Sequence, residues 1–245
     1  MSLSDPDVVR AQYATEDGLE ARRSVYENQE GEDAREVTFR MIAAGRPQRV
    51  LEVGPGPGEL SARMAADLGA EVVALDVSER MVVLARERGV DARVGDVHSL
   101  PFADASFDTV VAAWMLYHVP DLERGLAEIA RVLSPGGRLV AVTNSELHLE
   151  EARAHAGVSM VGRVPFNRDN GREVLQRHFA SVEQIDVDGW VTFPDAEAIR
   201  RYVRSMIMVV EAADADRVPD DVGPVRAGTR VTVFVAANPA PDESD

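Results

Sequence analysis

The chain has 245 residues, 45% of them hydrophobic, which suits one sizeable domain with small additions. Lysine plus arginine total 26 against 42 aspartates and glutamates, and the resulting charge of −16 disfavours nucleic acid and anionic lipid as partners, while the absence of cysteine excludes disulfides, thiolate catalysis and cysteine zinc sites. "MSLSDPDVVR" lacks the pattern of a secretory leader and no apolar run approaches the ~20 residues of a membrane span, so a cytoplasmic protein is expected.

In chain order, "VVRAQYATEDGLEARRSVYEN" and "AREVTFRMIAAG" read as helices that precede any strand. "RVLEV" (Arg49 to Val53) is strand-like, "GELSARMAADLG" (Gly58 to Gly69) helical, "EVVALD" (Glu71 to Asp76) strand-like, and "SERMVVLARERG" helical with Ser78 as its N-cap. "DARVGD" gives a short third strand and "FDTVVAAW" (Phe107 to Trp114) a fourth. Leu122, Leu126, Ile129 and Leu133 form one face of a helix in "DLERGLAEIARVLSPGG", which Pro135 and two glycines stop; "RLVAVTN" (Arg138 to Asn144) is a fifth strand. Such alternation, with continuously apolar strands, implies a parallel sheet covered on both faces. Beyond Asn144 an irregular helical region runs to about Gly171. Then come a helix in "REVLQRHF", a strand in "SVEQIDVDGW", a helix in "AEAIRRYVRSMIMVVEAA" and a closing strand in "TRVTVFVAA". The chain thus reads as one domain: a helical cap over residues 1–45, a core over 46–144, an added region over 145–228, a final strand over 229–237 and a loose acidic tail over 238–245.

The loop in "VLEVGPGPGEL" follows the first strand, where open parallel sheets bind ligands. A dinucleotide fingerprint would be Gly-x-Gly-x-x-Gly. Gly54 and Gly56 fit it, but Glu59 stands at the third position and the third glycine is Gly58. The Gly-Lys-Ser/Thr of a phosphate loop is absent. Glu52 would repel a pyrophosphate but would suit an ammonium, and the following helix start favours a carboxylate. An amino acid joined to a nucleoside has both groups. On that spacing a nicotinamide oxidoreductase is disfavoured.

"LEVGPGPG" resembles the first motif of the class I S-adenosylmethionine-dependent methyltransferases, acidic-x-Gly-x-Gly-x-Gly. "VVALDVSERMVVLAR" is similar to their second motif, "VGDVHSLPFADASFDTVVAAWMLYHVPD" to the third and fourth, and "LSPGGRLV" to the turn before the fifth strand. The ordered set covers roughly Val50 to Val142 and looks most like the small-molecule branch with ubiquinone-pathway, biotin-pathway and natural-product enzymes. The resemblance implies a Rossmann-like, doubly wound α/β sheet of seven strands, mostly parallel with an antiparallel last strand, plus a helical cap. It implies S-adenosyl-L-methionine as cofactor, with Glu52, Gly54, Gly56 and Gly58 around its amino acid end. Asp76 would take the ribose hydroxyls, with Val77 beside it, and Met81 would pack near the adenine. Asp96 would accept from the adenine amino group, with Gly95 and the Val97 backbone alongside, while Ala113 and His118 would lie near the methionine end.

Blander readings stand beside these. Glu52 fits a structural strand-end carboxylate, Asp76 and Asp96 fit turns, and Met81 fits a helix-face packing residue. His118 is the first choice for a general base, with Tyr13, Tyr26 and His148 behind it, yet it also reads as a positioning or core histidine. Trp114 and Tyr117 read as pocket lining or core, and no histidine spacing indicates a metal. The expected activity is in-line methyl transfer to O, N or C of a small acceptor, with a non-catalytic cofactor-binding protein as the alternative. "AAWMLYHVPD" lacks the Asn/Asp-Pro-Pro-aromatic motif of amino-directed DNA methyltransferases, which again disfavours nucleic acid. "MIMVV" fits a hydrophobic acceptor, a core helix or the face of a homodimer equally. The N-terminal segment, with Tyr13, Arg22, Arg23 and Tyr26, is expected to fold over the ligand as a lid.

Overall fold

The computed structural model describes residues 17–162, 164–206 and 212–239, without the side chains of a few of them. The start of the first expected helix, including Tyr13, lies outside this set, as do residues 207–210 of "MIMVV".

The elements run α1 (Asp17–Ser24), β1 (Glu30–Gly31), α2 (Ala34–Ala44), β2 (Arg49–Val53), α3 (Glu59–Leu68), β3 (Glu71–Asp76), α4 (Glu79–Glu87), β4 (Asp91–Val94), β5 (Phe107–Ala113), a 3-10 turn (Leu116–His118), α5 (Leu122–Val132) and β6 (Leu133–Asn144). They continue with α6 (Glu150–Ala154), α7 (Gly171–Gln176), β7 (Ser181–Phe193), α8 (Ala196–Arg204), a second 3-10 segment (Ala212–Arg217) and β8 (Val225–Ala237). One sheet has the order β1-β7-β8-β6-β5-β2-β3-β4. Strands β2 to β6 are mutually parallel, β8 runs antiparallel to β6, and β7 runs antiparallel to β8. Seven strands therefore follow the expected doubly wound plan, with β8 reversed. The eighth, β1, is two residues long and pairs with the edge of β7.

Alternation along the strands covers both faces. Leu51, Val53, Val110, Ala112 and Leu139 pack with Leu126 and Ile129 of α5 on one side. Val50, Val111, Val140 and Val142 pack with Ile42 of α2 and Met64 of α3 on the other. Glu52, two residues after Val50, falls on this second face, against α3. A smaller core joins Leu149, which caps α6, and Ala152 within it, Val191 and Phe193 of β7, and Ile199, Tyr202 and Val203 of α8, with Val25 and Tyr26 packed against it.

Several boundaries differ from the sequence reading, among them helix α8, which stops at Arg204, well short of the end of "AEAIRRYVRSMIMVVEAA". Helix α5 stops at Val132, because Leu133 already pairs with Phe107 in the sheet. The glycines at 136 and 137 then sit inside an irregular start of β6, not in a helix end. β7 and β8 are each 13 residues long and pair along their whole length, so a long hairpin replaces the short strands expected.

Candidate functional site

The order of strands reverses at β2. From there β3 and β4 extend one way, and β5 and β6 the other. The crevice beyond the carboxyl ends of strands at such a point is where open α/β sheets bind ligands. A cavity of about 720 Å³ opens there. Its lining runs from Glu52, Asp76 and Asp96 at one end to Trp114, Asn144, Val187 and Val231 at the other, and Arg22, Arg23 and Tyr26 of the N-terminal segment also wall it.

The glycine loop is built by φ angles of 66° at Gly54, 54° at Gly56 and 83° at Gly58, a region closed to most side chains. Each glycine has its own reason. A Cβ on Gly54 would lie 2.8 Å from the Cβ of Met115, and one on Gly58 would lie 2.7 Å from the Cβ of Ala85. A Cβ on Gly56 would meet nothing within 4 Å, so this residue faces the open cavity. The Gly54 N–H donates to the Leu75 carbonyl at 2.8 Å and fixes the loop on β3.

Glu52 is 2% exposed and accepts from the Ser61 hydroxyl of α3. Burial pushes its carboxyl up to about 7; the Ser61 hydrogen bond opposes this and the nearby Asp76 charge adds to it. Asp76 ends β3. Its Oδ2 accepts from the Gly56 N–H at 3.3 Å and its Oδ1 from the Ser78 N–H at 2.9 Å. Burial raises it to about 6 against those hydrogen bonds. Two carboxylates held in a cavity wall with no cationic side chain paired to either among the described residues form a ready receptor for a cation and for hydroxyl donors.

Val77, Gly95, Asp96, Val97, Ala113 and His118 also line the cavity. Gly95 is a packing glycine, since a Cβ there would lie 2.5 Å from Leu75 Cδ1. Asp96 Oδ1 accepts from the His98 N–H at 2.9 Å and meets His98 Nδ1 at 2.6 Å. His98 Nε2 faces the Asp121 N–H at 3.3 Å and must accept it, so Nδ1 carries the proton and donates to Asp96. His98 was not singled out in the sequence. Its signal is the Asp-x-His spacing, which suits an aspartate turn. The His118 ring stands edge-on to Tyr117, with centroids 4.3 Å apart. Gly58 and Met81 do not line the cavity: Gly58 packs on Ala85, and Met81 is 1% exposed inside α4.

His148 does not line the cavity either. Its Nδ1 accepts from the Arg230 N–H at 2.9 Å, so Nε2 holds the proton that bridges to the Tyr26 hydroxyl oxygen at 2.7 Å. Burial and the neighbouring Arg153 charge drop this imidazole to about 3. With its one lone pair engaged, His148 is a scaffold for Tyr26 and not a base.

The comparisons agree with this geometry. A family pattern described as "Methyltransferase domain" matches residues 51–141. Malonyl-[acyl-carrier protein] O-methyltransferase of Erwinia pyrifoliae is 34% identical over 188 residues, which cover 73% of this chain and 70% of that protein. Demethylmenaquinone methyltransferase of Clavibacter sepedonicus is 44% identical over 111 residues, but these span 43% of this chain and only 45% of that relative's length. Phosphoethanolamine N-methyltransferase 2 of Haemonchus contortus, solved in complex with S-adenosyl-L-methionine, shares the fold at a TM-score of 0.61 and 18% identity, over 98% of this chain and 60% of that one. An acidic strand end, two left-handed glycines in the cavity wall and a second, half-buried carboxylate at the sheet's reversal point fit the amino acid and nucleoside ends of that cofactor. The chain belongs to the class I S-adenosylmethionine-dependent methyltransferases.

Proposed function

We propose that the protein transfers a methyl group from S-adenosylmethionine to a small acceptor with an apolar body. The observation that carries this is the continuity of the cavity, from the Glu52–Asp76 pair to a wall of Trp114, Val187 and Val231. Glu52 holds the ammonium of the cofactor. Asp76 takes the ribose hydroxyls and Asp96 the adenine amino group through its remaining oxygen, with Val77, Gly95 and Val97 as the wall. Gly54 and Gly56 let the amino acid portion approach the backbone, and Ala113 and His118 flank its reactive end. Gly58 and Met81 act through packing. When bound, the cofactor supplies a methyl group on a sulfonium that departs as a neutral thioether. The chain's own task is to align the acceptor and exclude water, and proximity and orientation supply much of the acceleration. His118 takes the acceptor's proton where the acceptor does not ionise unaided.

The acceptor side is built from α1, α2 and, beyond Asn144, Val187 of β7 with Thr229 and Val231 of β8, around the core over 46–144. Among the described residues no helix is long and apolar enough to cross a membrane. With the charge of −16, this supports a small-molecule acceptor in the cytoplasm over nucleic acid or a membrane surface. The reading leaves room for a homodimer, which sedimentation would report. The test is incubation of the whole chain with methyl-labelled cofactor and a panel of small phenols, amines and carboxylic acids. Label recovered in an acceptor, with matching release of S-adenosylhomocysteine, is expected. Cofactor binding with no transfer across the panel would indicate a binding protein.

A further inference from the structure

Trp114 follows the last residue of β5 and has φ of 53°, in the left-handed region. For a bulky residue this conformation is a genuine outlier, costly to hold, and such outliers cluster at functional sites. Two bonds hold it. Its backbone N–H donates to the Val142 carbonyl at 2.9 Å, and its indole Nε1–H donates to Asn144 Oδ1 at 3.0 Å. An indole nitrogen can only donate, so the carboxamide orientation of Asn144 is fixed: oxygen toward Trp114, Nδ2 away from it. No group among the described residues takes up the Nδ2 protons. Asn144 is half-buried and lines the cavity, beside Val187 and Val231.

We infer that Asn144 is the residue that recognises the acceptor, donating from Nδ2 to an oxygen on an otherwise apolar molecule, and that Trp114 is its positioning residue. The inference rests on the methyltransferase reading and names the acceptor class. The strained turn places the indole in the wall and spends its single donor on aiming a neighbour's amide. Val231 pairs with Asn144 across the sheet and Val187 with Val231, and both valines share an apolar cluster with Trp114. Burying a polar donor there without a partner costs about 1–3 kcal/mol, so an oxygen-bearing ligand is favoured over its hydrocarbon analogue. A site whose donor is covered when the ligand binds rejects the analogue lacking the acceptor atom more strongly than a merely apolar pocket can.

Equilibrium dialysis tests this on the whole chain saturated with S-adenosylhomocysteine, with 1-naphthol and naphthalene as probes. Wild type should bind 1-naphthol at least tenfold tighter than naphthalene. In Asn144→Leu the preference should fall to twofold or less, with S-adenosylhomocysteine affinity unchanged. Trp114→Phe keeps an aromatic wall but frees the amide to rotate. It should lose most of the preference while still binding naphthalene, a pattern that mere loosening of the pocket would not give. Full preference retained in Asn144→Leu, or no preference in wild type, overturns the inference. Calorimetry with S-adenosylhomocysteine on the same samples separates this from failure of the methyltransferase reading, which would show as no cofactor binding in wild type.

Discussion

Glu52 stands where a carboxylate is costly: inside the sheet, with a serine hydroxyl as its hydrogen-bond donor and another carboxylate nearby. Its sequence neighbours mark it as a candidate ligand residue, whereas its protonation behaviour follows chiefly from burial, which the sequence alone does not show. Raised to about 7 in the fold from an ordinary 4.5, Glu52 keeps a proton between those values that the unfolded chain has released. Stability from this group is therefore present below pH ~4.5 and lost as pH rises through 7. A cationic ligand needs the ionised form, so its affinity should change in the opposite sense. S-adenosylmethionine should bind more tightly from pH 5.5 to 8, with proton release measurable by calorimetry in buffers of different ionisation heat. Glu52→Gln should bind weakly at all these pH values. Its melting temperature relative to wild type should climb as pH rises, a comparison that cancels His148, whose depressed value contributes with the other sign. Flat affinity from 5.5 to 8 would remove Glu52 from the ammonium site. Asp76→Ala should weaken S-adenosylhomocysteine binding at least tenfold, since two charge-assisted bonds worth ~1.5–3 kcal/mol each are lost and ~1.4 kcal/mol is a factor of ten. An unchanged dissociation constant in a folded variant would make it a turn residue only.

At the scale of elements, the glycine loop separates function from packing. Gly54 and Gly58 are required by Met115 and Ala85 beside them, whereas Gly56 faces open space. Gly56→Val should therefore leave a cooperative melt yet abolish cofactor binding, and Gly58→Ala should act first on stability, through its contact with α4. Normal S-adenosylhomocysteine binding by Gly56→Val would place the cofactor elsewhere. The strands β2, β3, β5 and β6 were legible because parallel strands buried on both faces are continuous apolar runs, as "VVALD" and "LVAVTN" show, whereas β4 is a mostly exposed edge strand. The N-cap Ser78 was legible from local chemistry, and its side chain does cap α4; Asp121 caps α5 in the same way without having been singled out. The long β7–β8 hairpin was not, because its extra residues pair across the sheet and carry no strong local signal. The Trp114–Asn144 bond was equally invisible: it joins residues 30 apart and depends on a backbone angle that a tryptophan rarely adopts.

Over the whole molecule, α1 is tied down at two points that are far apart in sequence. Arg22 donates to the Ser205 carbonyl at 2.7 Å, and Arg23 pairs with Glu59 at 2.7 Å, at the start of α3. The Arg23 pair is solvent-exposed and worth at most ~1 kcal/mol, so α1 is held lightly on its α3 side, while Tyr26 just beyond it is anchored on His148. Such an element is suited to open and close. Amides between Asp17 and Asn28 should gain protection from hydrogen exchange when S-adenosylhomocysteine is added, and deletion of residues 1–28 should leave a folded core with weakened cofactor retention. Equal protection with and without ligand would make the segment a fixed wall. Everything proposed for acceptor and lid depends on what occupies the crevice between β2 and β5. The most direct test is calorimetric titration of the intact chain with S-adenosylhomocysteine and, separately, with NAD. The account predicts a single saturable site for S-adenosylhomocysteine and no heat beyond dilution for NAD; tight NAD binding with no response to S-adenosylhomocysteine would contradict it.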